Sequence, residues 1–293
     1  MIKIQNLTKQ YPKSEFKALD NISFSIENGM YGLLGNNGAG KSTLMNILTT
    51  LLPLTSGNVY VDGIMLKPKN FEKIRENIGY MPQENAMYPD MTVEDAIEYF
   101  SILNKVGHEK RKTLSNDLLL YINMIDEKKK KYKTLSGGMK RRLALAIALI
   151  NNPPIIIADE PTTGVDPSER IRMRELLLSL SKEKTILLST HIIEDISYMC
   201  SNLAVLNSGH LIYNGSVKEL IKNAQGKVWQ YAATNENEIN YLRKKYGIIG
   251  MSVTENKTLI KFYAAEKPEF LSISIDPTLE EAYIVLAKEH ECV

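Results

Sequence analysis

Residues 35–43, Gly-Asn-Asn-Gly-Ala-Gly-Lys-Ser-Thr, constrain this chain more than any other stretch. They follow the G-x-x-x-x-G-K-[ST] spacing of a phosphate-binding loop. Glycines let the backbone curl so that successive N–H groups point into one concavity, which an anion fills. Lys41 adds a point charge that reaches outer phosphates, and the Ser42 hydroxyl can hold a magnesium ion. The helix that starts there aims the positive end of its dipole at the same spot. The flanks agree. Gly32-Leu33-Leu34 closes an apolar strand, and Leu44–Leu48 with Leu51 has helical spacing and stops before Pro53.

The 293 residues are 44% hydrophobic and 24% charged, which suits a large core and a second, smaller domain. A net charge of +2 gives no argument for a nucleic-acid groove. Cys200 and Cys292 lie far apart without metal spacing, so a reduced, cytosolic setting is expected. The amino terminus alternates like a strand and lacks the apolar core of a signal peptide. The longest apolar run, Leu143–Ile150, is too short to span a bilayer. Any membrane role must therefore pass through a partner that crosses the bilayer.

Before the loop, Ile2–Leu7 and Ala18–Ile26 read as strands, and Tyr11 sits in a turn where it could stack on a base. After it, Gly57–Gly63 reads as a strand and turn, and Ile78–Gln83 as a short strand ending in glutamine. Residues from Thr92 to about Lys131 are helical, opened by a capping box at Thr92–Asp95. The four lysines 128–131 read as a solvated helix end. Leu135-Ser136-Gly137-Gly138-Met139 then opens the apolar helix through Ile150. Ser136 caps it, and the paired glycines leave its first N–H groups bare, a second anion-seeking helix start.

Ile155-Ile156-Ile157-Ala158 is an unbroken apolar run that meets Asp159 and Glu160. Such a run reads as a central parallel strand buried on both faces, with its acids at the carboxyl end where ligands sit in open α/β sheets. Asp159 is placed to hold magnesium through water, and Glu160 to polarise an attacking water. Thr185–Thr190 is a second buried strand, and His191 at its carboxyl end begins the next helix. Leu203–Leu206 and Gly209–Tyr213 read as a hairpin, and Ser216 caps a short helix. Beyond Gly226, three strands and two helices form a compact α+β appendix without a chemical motif, with Trp229 in its core.

The ordered set of a phosphate loop, Gln83, Leu135-Ser136-Gly137-Gly138, Asp159-Glu160, Asp166 and His191 resembles the nucleotide-binding domain of ATP-binding cassette (ABC) transporters, over residues 1 to about 220. The resemblance implies an α/β P-loop NTPase of ABC type. It would have a mixed-sheet core, an antiparallel β subdomain and a helical subdomain at about 88–150, all within residues 1–225. Residues 226–293 would be the small α+β accessory domain. The implied ligands are ATP and Mg2+, with Mg-dependent hydrolysis. Carried over by position, Tyr11 stacks on the base and Gly35, Asn36, Asn37, Gly38, Ala39, Gly40, Lys41, Ser42 and Thr43 cradle the phosphates. Ser42, Gln83 and Asp159 serve the metal, Glu160 is the general base, and His191 contacts the γ-phosphate. Ser136, Gly137 and Gly138 act on nucleotide held by a second cassette, and Asp166 sits at the dimer seam.

Met139 departs from the usual glutamine of the signature, and Thr163–Pro167 from the commoner S-A-L-D. Together with Gly29–Gly35 and the tail Asp276–Tyr283, the latter stretch is similar to ABC-2 type exporters for drugs, bacitracin, lantibiotics and polysaccharides. The implied partners are a second ABC ATPase, identical or related, and a separate integral membrane permease contacted through Gln83–Pro89 and the helices that follow. The implied location is the cytoplasmic face of the membrane, with no nucleic-acid partner. The alternatives are a soluble ABC ATPase acting on ribosomes or DNA, and a regulatory or immunity subunit. One cassette without long heptads argues against the first.

Overall fold

The computed structural model describes residues 1–84, 87–254, 257–270 and 272–291. It divides into two compact units, Met1–Asn214 and Gly215–Val293. The sequence-based junction at 225/226 lies further along. Helix Val217–Asn223 packs on the last helix of the chain, so it groups with the second unit.

The first unit is built on two sheets. β1 (Ile2–Gln10), β2 (Lys17–Ile26), β4 (Ser56–Val61) and β5 (Ile64–Met65) form an antiparallel sheet in the order β2-β1-β4-β5. Its inward residues Ile2, Ile4, Ile22, Phe24, Val59 and Val61 join one core with Leu33, Leu44 and Ile47 from the phosphate-loop region. Burial of that apolar area is the main force holding this sheet over the loop.

The second sheet is six-stranded: β3 (Gly29–Leu34), β6 (Ile78–Met81), β7 (Ile155–Asp159), β8 (Thr185–Thr190), β9 (Asn202–Asn207) and β10 (His210–Ser216), in the order β10-β9-β3-β8-β7-β6. The strands from β9 to β6 run parallel. Every residue of β7 and β8 is buried, as uninterrupted apolar runs require when both sheet faces are covered. β6 stops at Met81, short of the expected Gln83, because Pro82 has no N–H to donate to the ladder.

α1 (Lys41–Leu48) and α2 (Phe71–Glu76) follow the loop and β5. α3 (Val93–Leu103), α4 (His108–Tyr121) and α5 (Gly137–Ala148) make the helical region inserted between β6 and β7. Thr92 and Asp95 form the expected capping box. Lys130 pairs with Glu127 and Lys131 with Asp90, so the lysine run is tied to local acids. α6 (Pro167–Leu180) and α7 (Ile193–Met199) precede and follow β8. No described helix is long and apolar enough to cross a membrane.

In the second unit, α8 (Val217–Asn223) leads to β11 (Val228–Ala233), α9 (Glu236–Lys245), β12 (Gly247–Val253), β13 (Thr258–Tyr263), β14 (Ile273–Ser274) and α10 (Leu279–Glu291). The antiparallel sheet runs β12-β13-β11-β14, over a core of Trp229, Leu242, Ile260 and Phe262. Sequence patterning missed β14, a two-residue edge strand. Cys200 is buried, and burial pushes its thiol well above the usual range. Cys292 lies outside the described residues.

Candidate nucleotide site

Parallel register decides where the site forms. Leu34 of β3 lies opposite Thr190 of β8, and Asp159 of β7 opposite Ser189. The residues just past these strand ends, Gly35, Glu160 and His191, therefore emerge side by side. Ligands in open α/β sheets bind at this edge.

The loop from Gly35 to Gly40 wraps back onto its own lysine. Lys41 Nζ donates to Gly35 O at 2.6 Å and Asn36 O at 3.1 Å. Burial lowers the Lys41 pKa, and the negative charge of Glu160 and Asp159 opposes that shift. At Gly40 the φ of +107° favours glycine, and a Cβ would lie 2.6 Å from Ala18 O. α1 has no side-chain N-cap, so no side chain serves its first N–H groups. Helix start, lysine and curled loop together present donors and positive charge to one volume.

That volume is a cavity of about 240 Å³. Asn36, Asn37, Gly38 and residues 40–43 line one side, and Gln83, Glu160 and His191 the other. The Tyr11 ring is part-exposed, with its hydroxyl 3.2 Å from Thr43 Oγ1 and Lys9 Nζ 5.3 Å from its centroid. It therefore stands beside the first turn of α1.

Glu160 is held from several directions. Its backbone takes the left-handed region at φ +52°, and its N–H donates to Ser189 O at 3.1 Å. Thr163 Oγ1 donates to its carboxylate, and His191 Nδ1 lies 2.9 Å from Oε1. His191 is in the turn after β8, and α7 begins at Ile193, not at the histidine as expected. Asp159 is 4% exposed and accepts from Ser189 Oγ. Burial raises its carboxyl pKa, and the charge of Glu160 adds to the rise. A carboxylate whose pKa is raised by folding costs the folded state stability as pH climbs through that pKa. Asp159→Asn is therefore expected to melt about 2 °C or more above wild type at neutral pH without nucleotide, as measured by calorimetry. An unchanged or lower Tm contradicts this.

The glycine-rich helix start lies apart from this cavity. Ser136 caps α5 by accepting from Met139 N–H at 3.2 Å. Ser136 and Gly137 are exposed and Gly138 is buried. A Cβ at Gly138 would meet Glu169 Cγ at 2.4 Å, whereas at Gly137 it would meet only Gly164 O, at 3.3 Å. Gly138 thus lets α5 approach the start of α6, and Gly137 forms the open tip. Asp166 caps α6 through Glu169 N–H at 2.9 Å, and that bond holds its carboxyl below the ordinary range. Ser136, Gly138 and Asp166 do not line the loop cavity. Gly137 lines a second cavity, of about 360 Å³, which shares Gln83 with the first.

Four side chains that the sequence reading passed over support this geometry. Ser189 and Thr163 bind the two acids. Arg141 donates to the carbonyls of Pro82 and Gln83, tying α5 to the glutamine segment. Arg142 forms a buried pair with Glu169 at 3.0 Å and donates to Ile122 O and Asn123 O. One signal was available. Lys140-Arg141-Arg142 occupies the first turns of a helix, where the dipole disfavours cations, so partners elsewhere were to be expected.

A glycine loop with its lysine on a helix start, faced by a carboxylate and a histidine from neighbouring parallel strands, defines a P-loop nucleotide-binding protein. The ABC transporter family profile matches residues 19–163. The linearmycin resistance ATP-binding protein LnrL of Bacillus subtilis is 33% identical over 228 residues, covering 77% of this chain and 72% of that protein. The methionine import ATP-binding protein MetN 1 of Oenococcus oeni is 34% identical over 253 residues, covering 83% and 72%. Among solved structures, the dimeric post-hydrolysis state of the ATP-binding cassette MJ0796, bound to ADP and Pi, superposes with a TM-score of 0.67 at 31% identity. That match covers 74% of this chain and 98% of the other. The chain belongs to the ATP-binding proteins of ABC transporters.

Proposed function

We propose that the chain hydrolyses ATP with Mg2+ and that two cassettes, closing on two nucleotides, drive export through a separate membrane permease. The observation that carries this reading is the meeting of the loop, Gln83, Glu160 and His191 around one cavity. Phosphoryl transfer needs positioning and neutralised charge more than covalent chemistry. Residues 35–43, with Lys41, hold the phosphates, and Tyr11 stacks on the base. Glu160 accepts the proton of the attacking water, and His191 holds that carboxylate in place and faces the γ-phosphate. Gln83 positions the same water.

Ser42, Gln83 and Asp159 would hold the metal. Their donor set fits it: a hydroxyl, an amide carbonyl and one carboxylate are hard oxygens, and magnesium takes one or two carboxylates together with water and phosphate. No cluster of three or more His, Cys, Asp or Glu occurs among the described residues, and an ion held here would take its other ligands from phosphate and water. Held there, magnesium would supply positive charge against the phosphates.

The exposed tip at Ser136 and Gly137, with Gly138 behind it, completes the site of the opposite cassette, and Asp166 lies at the seam. The dimeric state of MJ0796 supports this arrangement. Water competes for the phosphate contacts until the sandwich closes, so a lone copy hydrolyses slowly. The export direction rests on the ABC-2-like stretches and on LnrL, a resistance protein. MetN 1 is named an import protein and the Nod factor protein of Burkholderia orbicola an export protein, so relatives of both directions exist. The permease docks on the cassette from the cytoplasmic face, at Gln83–Pro89 and the helices after it. Residues 85 and 86 of that segment lie outside the described residues. Co-expression tests the reading: a multi-span membrane protein should co-purify and raise ATPase activity several-fold. A cassette that hydrolyses ATP fully by itself, with cross-links to the permease only from residues 227–293, would overturn it.

A further inference from the structure

The carboxyl-terminal unit carries a cavity of about 440 Å³ beside α9, walled by Tyr231, Tyr241, Phe270 and Leu242 and edged by Glu238 and Glu269. The rings are steeply inclined to one another. Tyr231 meets Phe270 edge to face, with centroids 5.3 Å apart and planes at 88°. Tyr241 stands across Phe270 at 6.5 Å and 76°. An open ring face carries negative potential and attracts a cation, whereas ring edges do not.

The acids strengthen that preference. Glu238 is locked at the start of α9. It accepts from Thr234 N–H at 2.8 Å and Asn235 Nδ2 at 3.1 Å, and from the Tyr231 hydroxyl. The Thr234 N–H is the main cause holding this carboxyl below its usual range, so it is charged at neutral pH. Glu269 is exposed and makes no ion pair or hydrogen bond among the described residues. No lysine or arginine lines the cavity. One wall ring already attracts a cation of the chain: Lys245 Nζ lies 5.6 Å from the Tyr241 centroid. Lys245 lines a neighbouring cavity together with Lys267 and Lys288, and Glu269 stands between that cavity and this one, whereas no cation lines the corner at Tyr231 and Phe270.

We propose that this cavity binds a small quaternary or alkylated ammonium cation. Alkyl groups match the ring faces and Leu242, and the charge is met by rings and carboxylates together. A hydrated metal ion would forgo the aromatic walls, and no cluster of metal ligands occurs among the described residues.

The test is calorimetric titration of the full-length chain with choline at constant ionic strength, beside its neutral isostere 3,3-dimethylbutan-1-ol. Choline should bind saturably at one site, and the isostere at least about tenfold more weakly. Tyr241→Leu and Glu269→Gln should each weaken choline about tenfold, while Tyr241→Phe, which keeps the ring, stays close to wild type. Both positions are exposed, and thermal melting checks the fold. Should Tyr241→Leu not fold, Glu269→Gln carries the test alone. No saturable choline binding, equal binding of the neutral isostere, or unchanged affinity in Glu269→Gln each overturns the proposal.

Discussion

Glu160→Gln is expected to lower ATP turnover by about 10²- to 10⁴-fold and to leave nucleotide affinity within a few-fold of wild type. The reason lies in what the substitution keeps. Glutamine has nearly the same shape, and the left-handed backbone at this position strains it no more than glutamate. A carboxamide oxygen still accepts from Thr163 Oγ1, and its NH2 can face His191. Lost are the negative charge and the ability to take a proton from water. The loop, Lys41 and Ser42 are untouched, so ATP binds as before and hydrolysis stalls. The stalled state should accumulate as an ATP-dependent dimer in gel filtration. Steady-state phosphate release and equilibrium binding separate the two quantities. Equal turnover by mutant and wild type would remove Glu160 from the role of base.

Lys41→Ala should act on binding, weakening ATP affinity by about 100-fold. Lys41 is 6% exposed, and its ammonium is fixed over the loop by two carbonyls, so little is spent in ordering it when phosphate arrives. It is also a counter-charge to both Asp159 and Glu160. Without it, Arg141 is left as the cation acting on the two acids that face a triphosphate. Fluorescent-nucleotide titration measures the loss. An affinity within threefold of wild type would show that the loop amides alone hold the phosphates.

The legible parts of this protein were those in which one short stretch carries its own physical reason. The Gly35–Thr43 spacing, the apolar runs ending at Asp159 and Thr190, and the cap at Ser136 are local, and each forms as its residues dictate. Less legible was anything that depends on contact between distant segments. Nothing near Gly138 in sequence reveals that Glu169 packs against it. The Arg142–Glu169 pair and the reach of Arg141 to Gln83 join segments far apart in the chain, and only the basic run at a helix start hinted at them. The left-handed backbone of Glu160 is likewise imposed from outside, by Ser189 on the neighbouring strand. The junction after Asn214 escaped notice because α8 looks like the end of the first domain in sequence but packs on α10.

One mixing experiment addresses the central claim, that a bound triphosphate is completed by the Gly137 tip of another copy. Gly137→Glu puts a negative charge on that tip, where a Cβ meets only Gly164 O at 3.3 Å and needs that carbonyl to give a few tenths of an ångström, whereas at Gly138 it would overlap Glu169 at 2.4 Å. With ATP held near the wild-type Kd, about 100-fold below that of the Lys41→Ala loop, Lys41→Ala and Gly137→Glu proteins should each be nearly inactive alone. Mixed, half the dimers pair one of each, and one of their two sites joins an intact loop to an intact tip. Phosphate release from the mixture should then return to roughly a quarter of wild-type turnover. If loop and tip of the same copy served one nucleotide, every copy would carry a lesion, and the mixture would stay as inactive as its parts.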